Sequence, residues 1–499
     1  MSTASIALNR FGLGARPDEP LPANPRKWLH AQLDRFEPRP PAIAALPSRA
    51  VIAGQLADYL AGPRPMGPPS GVRAPAAAMT QTPQAMAEGA MSDAATKPAG
   101  DGNEPEAIQR TRQFLRRQGR DNYVGAVGAR VDAALGTSSP FVERMVHFWA
   151  NHFAVSADKL TVIGLSGLLE FEAIRPHVLG SFSQMLNAVE RHPAMLLYLD
   201  QAQSVGPNSV VGSRVAARGK RKVGINENLA REILELHTLG VRTGYDQADV
   251  TEFARAMTGW TVVGITRGPL ARFAGIEGAP GDFGFAEPLH EPGARTIMGK
   301  RYDKPGERQA QAVLDDLAAH PATAEHLATK LCRHFAGDTP PPAMVARVKA
   351  AFVASRGDLP TVYRALIDSP ELWVDTPTKF KSPWEWTISS LRATGARDVP
   401  APQATGLLNQ LGQAVWRPGS PAGWDDLTAT WAGPDAVVRR VEVAERLAQR
   451  AGGGLDARAL APKLFPDAVS APTAQALTNA ESPGQALALL LVAPESMRR

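Results

Sequence analysis

Residues 226–240, NENLAREILELHTLG, decide how the chain is read. The apolar residues recur at helical spacing and Gly240 supplies a stop, so the stretch predicts an amphipathic helix. Placed at roughly 100° per residue, Asn228, Arg231, Glu232, Glu235 and Thr238 share one stripe about 120° wide. Leu229, Ile233, Leu236 and Gly240 lie around the other side, Leu234 falls near the edge of the stripe, and His237 points toward the apolar side. So broad an apolar arc buries most of the helix. A polar stripe on a buried helix needs partners, because lone buried charges are costly. Three readings stay open, one of them a plain solvated face. The stripe is an internal salt-bridge lock between helices. Or it lines a cleft in which Glu232 and Glu235, one turn apart, serve as acid and base or as two metal ligands.

The same spacing runs through most of 105–260 and 305–499, in stretches of about three to five turns joined by Pro- and Gly-rich loops. Ser139 and Pro140 mark one helix start and Asp246 another, Pro193 a break and Gly259 an end. The expected fold is mainly α, a multi-helix two-lobed globule. An N-terminal helical lobe covers 1–260 and a C-terminal one 305–499, with an irregular segment at 261–304 between them. Residues 62–104 are rich in Pro, Gly, Ala and Ser and hold no aromatic residue, so they read as a disordered insertion. Near 282–300 the helical period gives way to a small β-hairpin. Pro292 and Gly293 suit a type II turn there, which would set His290 opposite Arg295.

Composition narrows the function classes. The 499 residues carry 54 basic and 49 acidic side chains, a net charge of only +5, too balanced for a dedicated nucleic-acid binder. The single cysteine, Cys332, excludes an intrachain disulfide and any multi-cysteine zinc site, and its apolar helical setting makes it core filler. No apolar run approaches the ~20 residues of a membrane span. The first residues show no secretory signal, so the expected compartment is the cytoplasm, or the periplasm by way of an exported carrier.

Two further clusters carry polar groups. In ERMVHFWANHF, residues 143–153, Arg144, His147 and Asn151 share a face, while His147 and His152 lie too far apart around the helix to chelate a metal. The expected hairpin presents His290, Glu291 and Arg295. In the catalytic reading, Glu232, Glu235, His152 and His290 handle protons, and Asn151, Asn228, Arg231, Arg295 and Glu291 hold the substrate. Cofactor and metal are left unassigned. The basic loop at 214–222 reads as solvated, and RPGSPAGWDDLTATWAG, residues 417–433, as a packed corner rather than a sugar-stacking platform.

These clusters also carry a resemblance. ALNRFGLGARP, ERMVHFWANHFAVS, HPAMLLYLD, the long stretch from NENLAREILELHTLG to ARAMTGW, HEPGARTIMGK, KSPWEW and PAGW together resemble the bacterial domain of unknown function 1800 family nearly end to end. The resemblance implies a largely helical protein, often encoded beside a twin-arginine-exported protein of alkaline-phosphatase-like type. It carries over no catalytic residue. The chain departs from the family pattern at His237, where Phe is more usual, and at Glu291 and Arg295, where Asp and Lys are. Two functions are expected: a hydrolase or lyase acting on a polar or anionic substrate through a Glu/His/Arg cleft, or a non-catalytic helical binding or assembly protein for that exported partner.

Overall fold

A computed structural model describes residues 1–61, 106–218, 224–265 and 276–499. The insertion expected at 62–104 lies outside the described residues, as do residues 219–222 of the basic loop. The protein is mainly α. A 31-residue helix, Glu106–Gly136, is followed by Pro140–His152, Phe182–Glu190 and Gln247–Ala256, then by Pro321–Ala336, Pro383–Ala393 and Pro434–Ala451.

Local chemistry sets the helix starts. Ser181 with Gln184, Asp246 with Asp249, and Ser382 with Glu385 form reciprocal capping boxes. Pro140 opens its helix from the first turn, but the Ser139 hydroxyl, expected to cap it, makes no hydrogen bond among the described residues. The Gln247–Ala256 helix stops before Gly259, whose φ of 90° belongs to the following turn.

The strands described form two antiparallel pairs, β1 (Trp260–Val262) with β2 (Phe283–Phe285) and β3 (Arg295–Ile297) with β4 (Lys300–Tyr302). The hairpin is present, but its turn is Met298 and Gly299 rather than Pro292 and Gly293. Both turn residues have positive φ, 50° and 74°, which matches the twist of a two-residue hairpin. Arg295 therefore pairs with Tyr302 and does not face His290.

Most buried apolar side chains form one continuous cluster from Ile6 to Met497, crossing both expected lobe boundaries, and Val205, Val211, Ala286 and Leu289 form a second, small one. The two ends of the chain are stitched into it. Ser2 bonds to the Pro466 carbonyl, and Arg499 exchanges backbone hydrogen bonds with Lys379 at 2.9 and 3.1 Å. Buried arginines take up the carbonyls that helix ends leave unpaired. Arg16 donates to Leu135, Gly395 and Ala396, and Arg392 to Gly14, Ala134 and Leu135.

The 226–240 stretch is not one regular helix. Asn228–Glu232 is α-helical and Ile233–His237 is a π turn, closed by a hydrogen bond from the Gly240 amide to the Leu234 carbonyl. The wider turn rotates the residues after Glu232 away from their α-helical positions. Leu234 becomes fully buried, Leu236 is left half-exposed, and Thr238 leaves the polar stripe to bond the Ile233 carbonyl inside the core. His237 is fully buried with its Nδ1 2.7 Å from Glu190 Oε1, whose second oxygen has no hydrogen-bond partner among the described residues.

This buried pair ties the π turn to the Phe182–Glu190 helix. His237→Phe would strand the Glu190 carboxyl and cost about 3 kcal/mol. Adding Glu190→Leu should return most of that loss. Urea unfolding of the two variants measures both steps.

Candidate active site

The Pro140–His152 helix sends Arg144, His147, Asn151 and His152 into the wall of a cavity of about 130 Å³. Arg144 anchors the floor. Its guanidinium donates to the Phe11 and Gly12 carbonyls and pairs with Glu385. Burial, together with nearby Arg499, pushes Arg144 down to about 10. Burial alone would raise Glu385, but Arg499 at 2.8 Å and Arg144 outweigh it and hold the carboxyl well below its usual range. His147 accepts a hydrogen bond from the Trp384 indole at 3.1 Å. Beside them the Arg130 guanidinium lies 4.1 Å from the Trp384 ring and 5.4 Å from the Trp416 ring, tied to Glu170 at 2.8 Å.

The Pro321–Ala336 helix supplies the opposite wall with Lys330, Arg333 and His334. His152 Nε2 lies 3.2 Å from the His237 carbonyl, which can only accept, so this nitrogen carries the proton. His152 Nδ1 is left as an acceptor, and Lys330 Nζ donates to it at 3.0 Å. Burial, helped by the Lys330 charge, holds His152 well below the ordinary imidazole range, so it is neutral at pH 7. Burial pushes Lys330 down to about 8. The ring of His334 is fixed by Asp426 at 3.1 Å, and its other nitrogen is 3.9 Å from Glu385. Burial lowers the pKa of His334 as well. The Arg333 side chain has no hydrogen bond or ion pair among the described residues, and its Nε is buried.

The 417–433 loop roofs the cavity, bringing Pro418, Trp424, Asp425 and Asp426. Asn151 holds it through both backbone polar groups of one residue, donating to the Trp424 carbonyl at 2.8 Å and accepting from the Trp424 amide at 2.7 Å. Gly423 has φ 82°, and a Cβ there would run into the Asn151 carbonyl, so a side chain is excluded twice over. Trp424 is half-exposed and Asp425 exposed, which places the mouth of the cavity at this loop.

The three expected clusters do not meet. Asn151 and His152 line the cavity; Asn228, Arg231, Glu232, Glu235, His290, Glu291 and Arg295 do not. Arg231 sits among Glu227, Glu235 and Gln247, at 3.4, 3.4 and 2.8 Å, in a partly exposed network. Asn228 donates its amide to the Asn226 side chain. Glu232 is half-exposed and raised by burial and by Glu235 despite His237, with no ion pair among the described residues. His290 bonds the Thr258 carbonyl at 2.9 Å. The Glu291 carboxylate accepts twice from Asn208, and Arg295 reaches Glu252 at 3.3 Å and the Pro292 carbonyl. Arg295 thus ties the hairpin to the Gln247–Ala256 helix, while Thr258 and Asn208 hold the segment that leads into it. What links the 226–240 motif to the cavity is a backbone atom, the His237 carbonyl under His152.

Sequence reasoning passed over Lys330, Arg333, His334, Trp384, Glu385 and Asp426. The available signal was the i, i+3, i+4 spacing of Lys330, Arg333 and His334 on the Pro321–Ala336 helix. Cys332 between them is core filler, fully buried, its thiol pushed up to about 12 by burial. Among the described residues no three His, Cys, Asp or Glu side chains are grouped as metal ligands, and no helix is long and apolar enough to cross a membrane.

Fold and site together define a mainly helical protein with a small cation-bearing cavity under a tryptophan loop. The chain belongs to the family described as "Protein of unknown function (DUF1800)", whose model matches residues 6–498. No curated protein and no solved structure matches it.

Asn151→Ala removes both hydrogen bonds to Trp424. At about 1 kcal/mol each, their loss should speed exchange of the Trp424 amide by roughly 30-fold. Hydrogen–deuterium exchange over the 417–433 loop tests this.

Proposed function

We propose that the protein is an enzyme of hydrolase or lyase type, in which Lys330 moves a proton to or from a small polar or anionic substrate held in the cavity. The observation that carries this reading is the contact of Lys330. Its ammonium meets the lone pair of a neutral histidine, not a carboxylate, at the wall of a cavity that reaches the surface. An amine titrating near 8 exchanges protons in both directions at neutral pH, which general acid–base catalysis requires. His152 positions the amine. Glu385 and Asp426 remain carboxylates, Asp426 because His334 outweighs the effect of its own burial. Segments carrying the family resemblance meet here: ERMVHFWANHFAVS, KSPWEW and PAGW line the cavity, and the 226–240 motif lies under His152.

The competing reading makes the protein an assembly partner of an exported alkaline-phosphatase-like protein, with its polar stripes as locks. The contacts of Arg231, Glu291 and Arg295 suit that role for their own segments. An unpaired lysine beside a cavity does not serve a lock, since a partly desolvated ammonium costs stability at neutral pH. Folding lowers the Lys330 pKa from 10.5 to about 8. Its destabilising effect is therefore full below about pH 8 and fades as pH rises toward 10.5.

The experiment is to incubate the protein with a pool of small metabolites and follow each compound by mass spectrometry. At least one compound should be consumed by the wild type and none by Lys330→Met, whose melting temperature at pH 7 should stay level or rise. Equal consumption by both proteins, or none by the wild type together with stable co-elution with the exported partner, would overturn the proposal.

A further inference from the structure

The charges lining the cavity do not balance locally. Arg130 is matched by Glu170 and Arg144 by Glu385. Asp426, whose charge acts on Lys330, is already engaged by His334 and by Lys379 at 3.3 Å. Lys330 and Arg333, three residues apart on one helix face, have no carboxylate partner among the described residues, and Arg333 leaves a buried Nε without an acceptor. No carboxylate among the described residues closes on this pair at the cavity wall, which leaves its donors open to one anionic acceptor.

Position and size restrict that acceptor. Both residues lie in the last two turns of Pro321–Ala336, at the carbonyl end of the helix, where the dipole opposes added negative charge. Glu385, Asp425 and Asp426 also face the cavity. A single delocalised charge suits this field better than the double charge of a phosphate monoester. The planar guanidinium fork matches a carboxylate. The volume of about 130 Å³ is close to the ~150 Å³ of an apolar cavity that holds benzene. Phe148, Trp384, Trp416 and Trp424 supply aromatic wall.

We propose that the cavity binds a small ring-bearing carboxylic acid as its anion, with Arg333 and Lys330 on the carboxylate and the tryptophans against the ring. This rests on the reading of the cavity as the substrate site and names the class of substrate it takes. Arg333 provides the permanent charge, and Lys330 adds a second donor while it is protonated. Exchange of its proton is then coupled to occupancy, since a bound anion favours the ammonium.

Benzoate, benzamide and inorganic phosphate are the probes, followed by tryptophan fluorescence and calorimetry on the full chain. Benzoate should bind saturably, and benzamide and phosphate at least tenfold more weakly. Arg333→Leu should weaken benzoate tenfold or more, and Arg333→Lys, which keeps the charge but loses the fork, by a smaller factor. Benzoate affinity should fall as pH rises past about 8, and Lys330→Met should abolish that fall. The charged groups acting on Lys330 are Asp426 and Arg333, and the histidines that feel its charge are His152 and His326. Of these, His152 and His326 are already neutral at pH 7, with His326 pushed down to about 4 chiefly by burial. Equal binding of benzamide, preference for phosphate, or benzoate affinity untouched in both Arg333 variants would each overturn the proposal. Benzoate binding with no compound turned over would sink the enzyme reading and leave this inference standing. Turnover of neutral compounds without benzoate binding would do the reverse.

Discussion

Arg144 is the junction on which the rest of the molecule depends. One guanidinium holds the Phe11 and Gly12 carbonyls, faces Glu385 on the Pro383–Ala393 helix, and is carried by the helix that builds the cavity wall. It ties the first residues of the chain to its last third. Such a group is expensive to bury, and only a full set of acceptors offsets the desolvation. Arg16 and Arg392 repeat the solution at other helix ends. With mainly helical elements and little sheet to absorb backbone groups, the ends are where unpaired carbonyls gather, and long guanidinium side chains can reach them from inside the core.

The cavity follows from the same economy. Arg144 fixes Glu385 as a carboxylate, and Glu385 also completes the capping box that starts its own helix. Trp384, one residue earlier, is thereby set against Arg130 and His147. Asn151 then closes the roof by binding the backbone N–H and carbonyl of Trp424. What remains is a small space in which most charges have a partner and two cations do not.

The π turn at Ile233–His237 shows why the opening motif misled. A helical wheel assumes a constant rotation per residue, and one wider turn breaks that assumption for every position after it. Glu232 and Glu235 remain near each other, but only Glu235 pairs with Arg231, and neither reaches the cavity. The part of the motif that reaches the site is the His237 carbonyl, a backbone atom that no side-chain pattern announces. Its side chain does something else, sealing a buried pair with Glu190.

Apolar spacing, capping residues and Pro/Gly punctuation were enough to read from the chain alone that it is mainly helical, where several helices begin, that Cys332 is core, and that a short hairpin interrupts the helices. These features are local, set by interactions within a few residues. The face shared by Arg144, His147 and Asn151 was legible for the same reason. The meeting of His152 with Lys330, of Asn151 with Trp424 and of Arg144 with Glu385 was not, because the partners lie 178, 273 and 241 residues apart. Which polar groups find partners, and which two cations are left without one, depends on how helices pack across the whole core, and only the tertiary structure decides it.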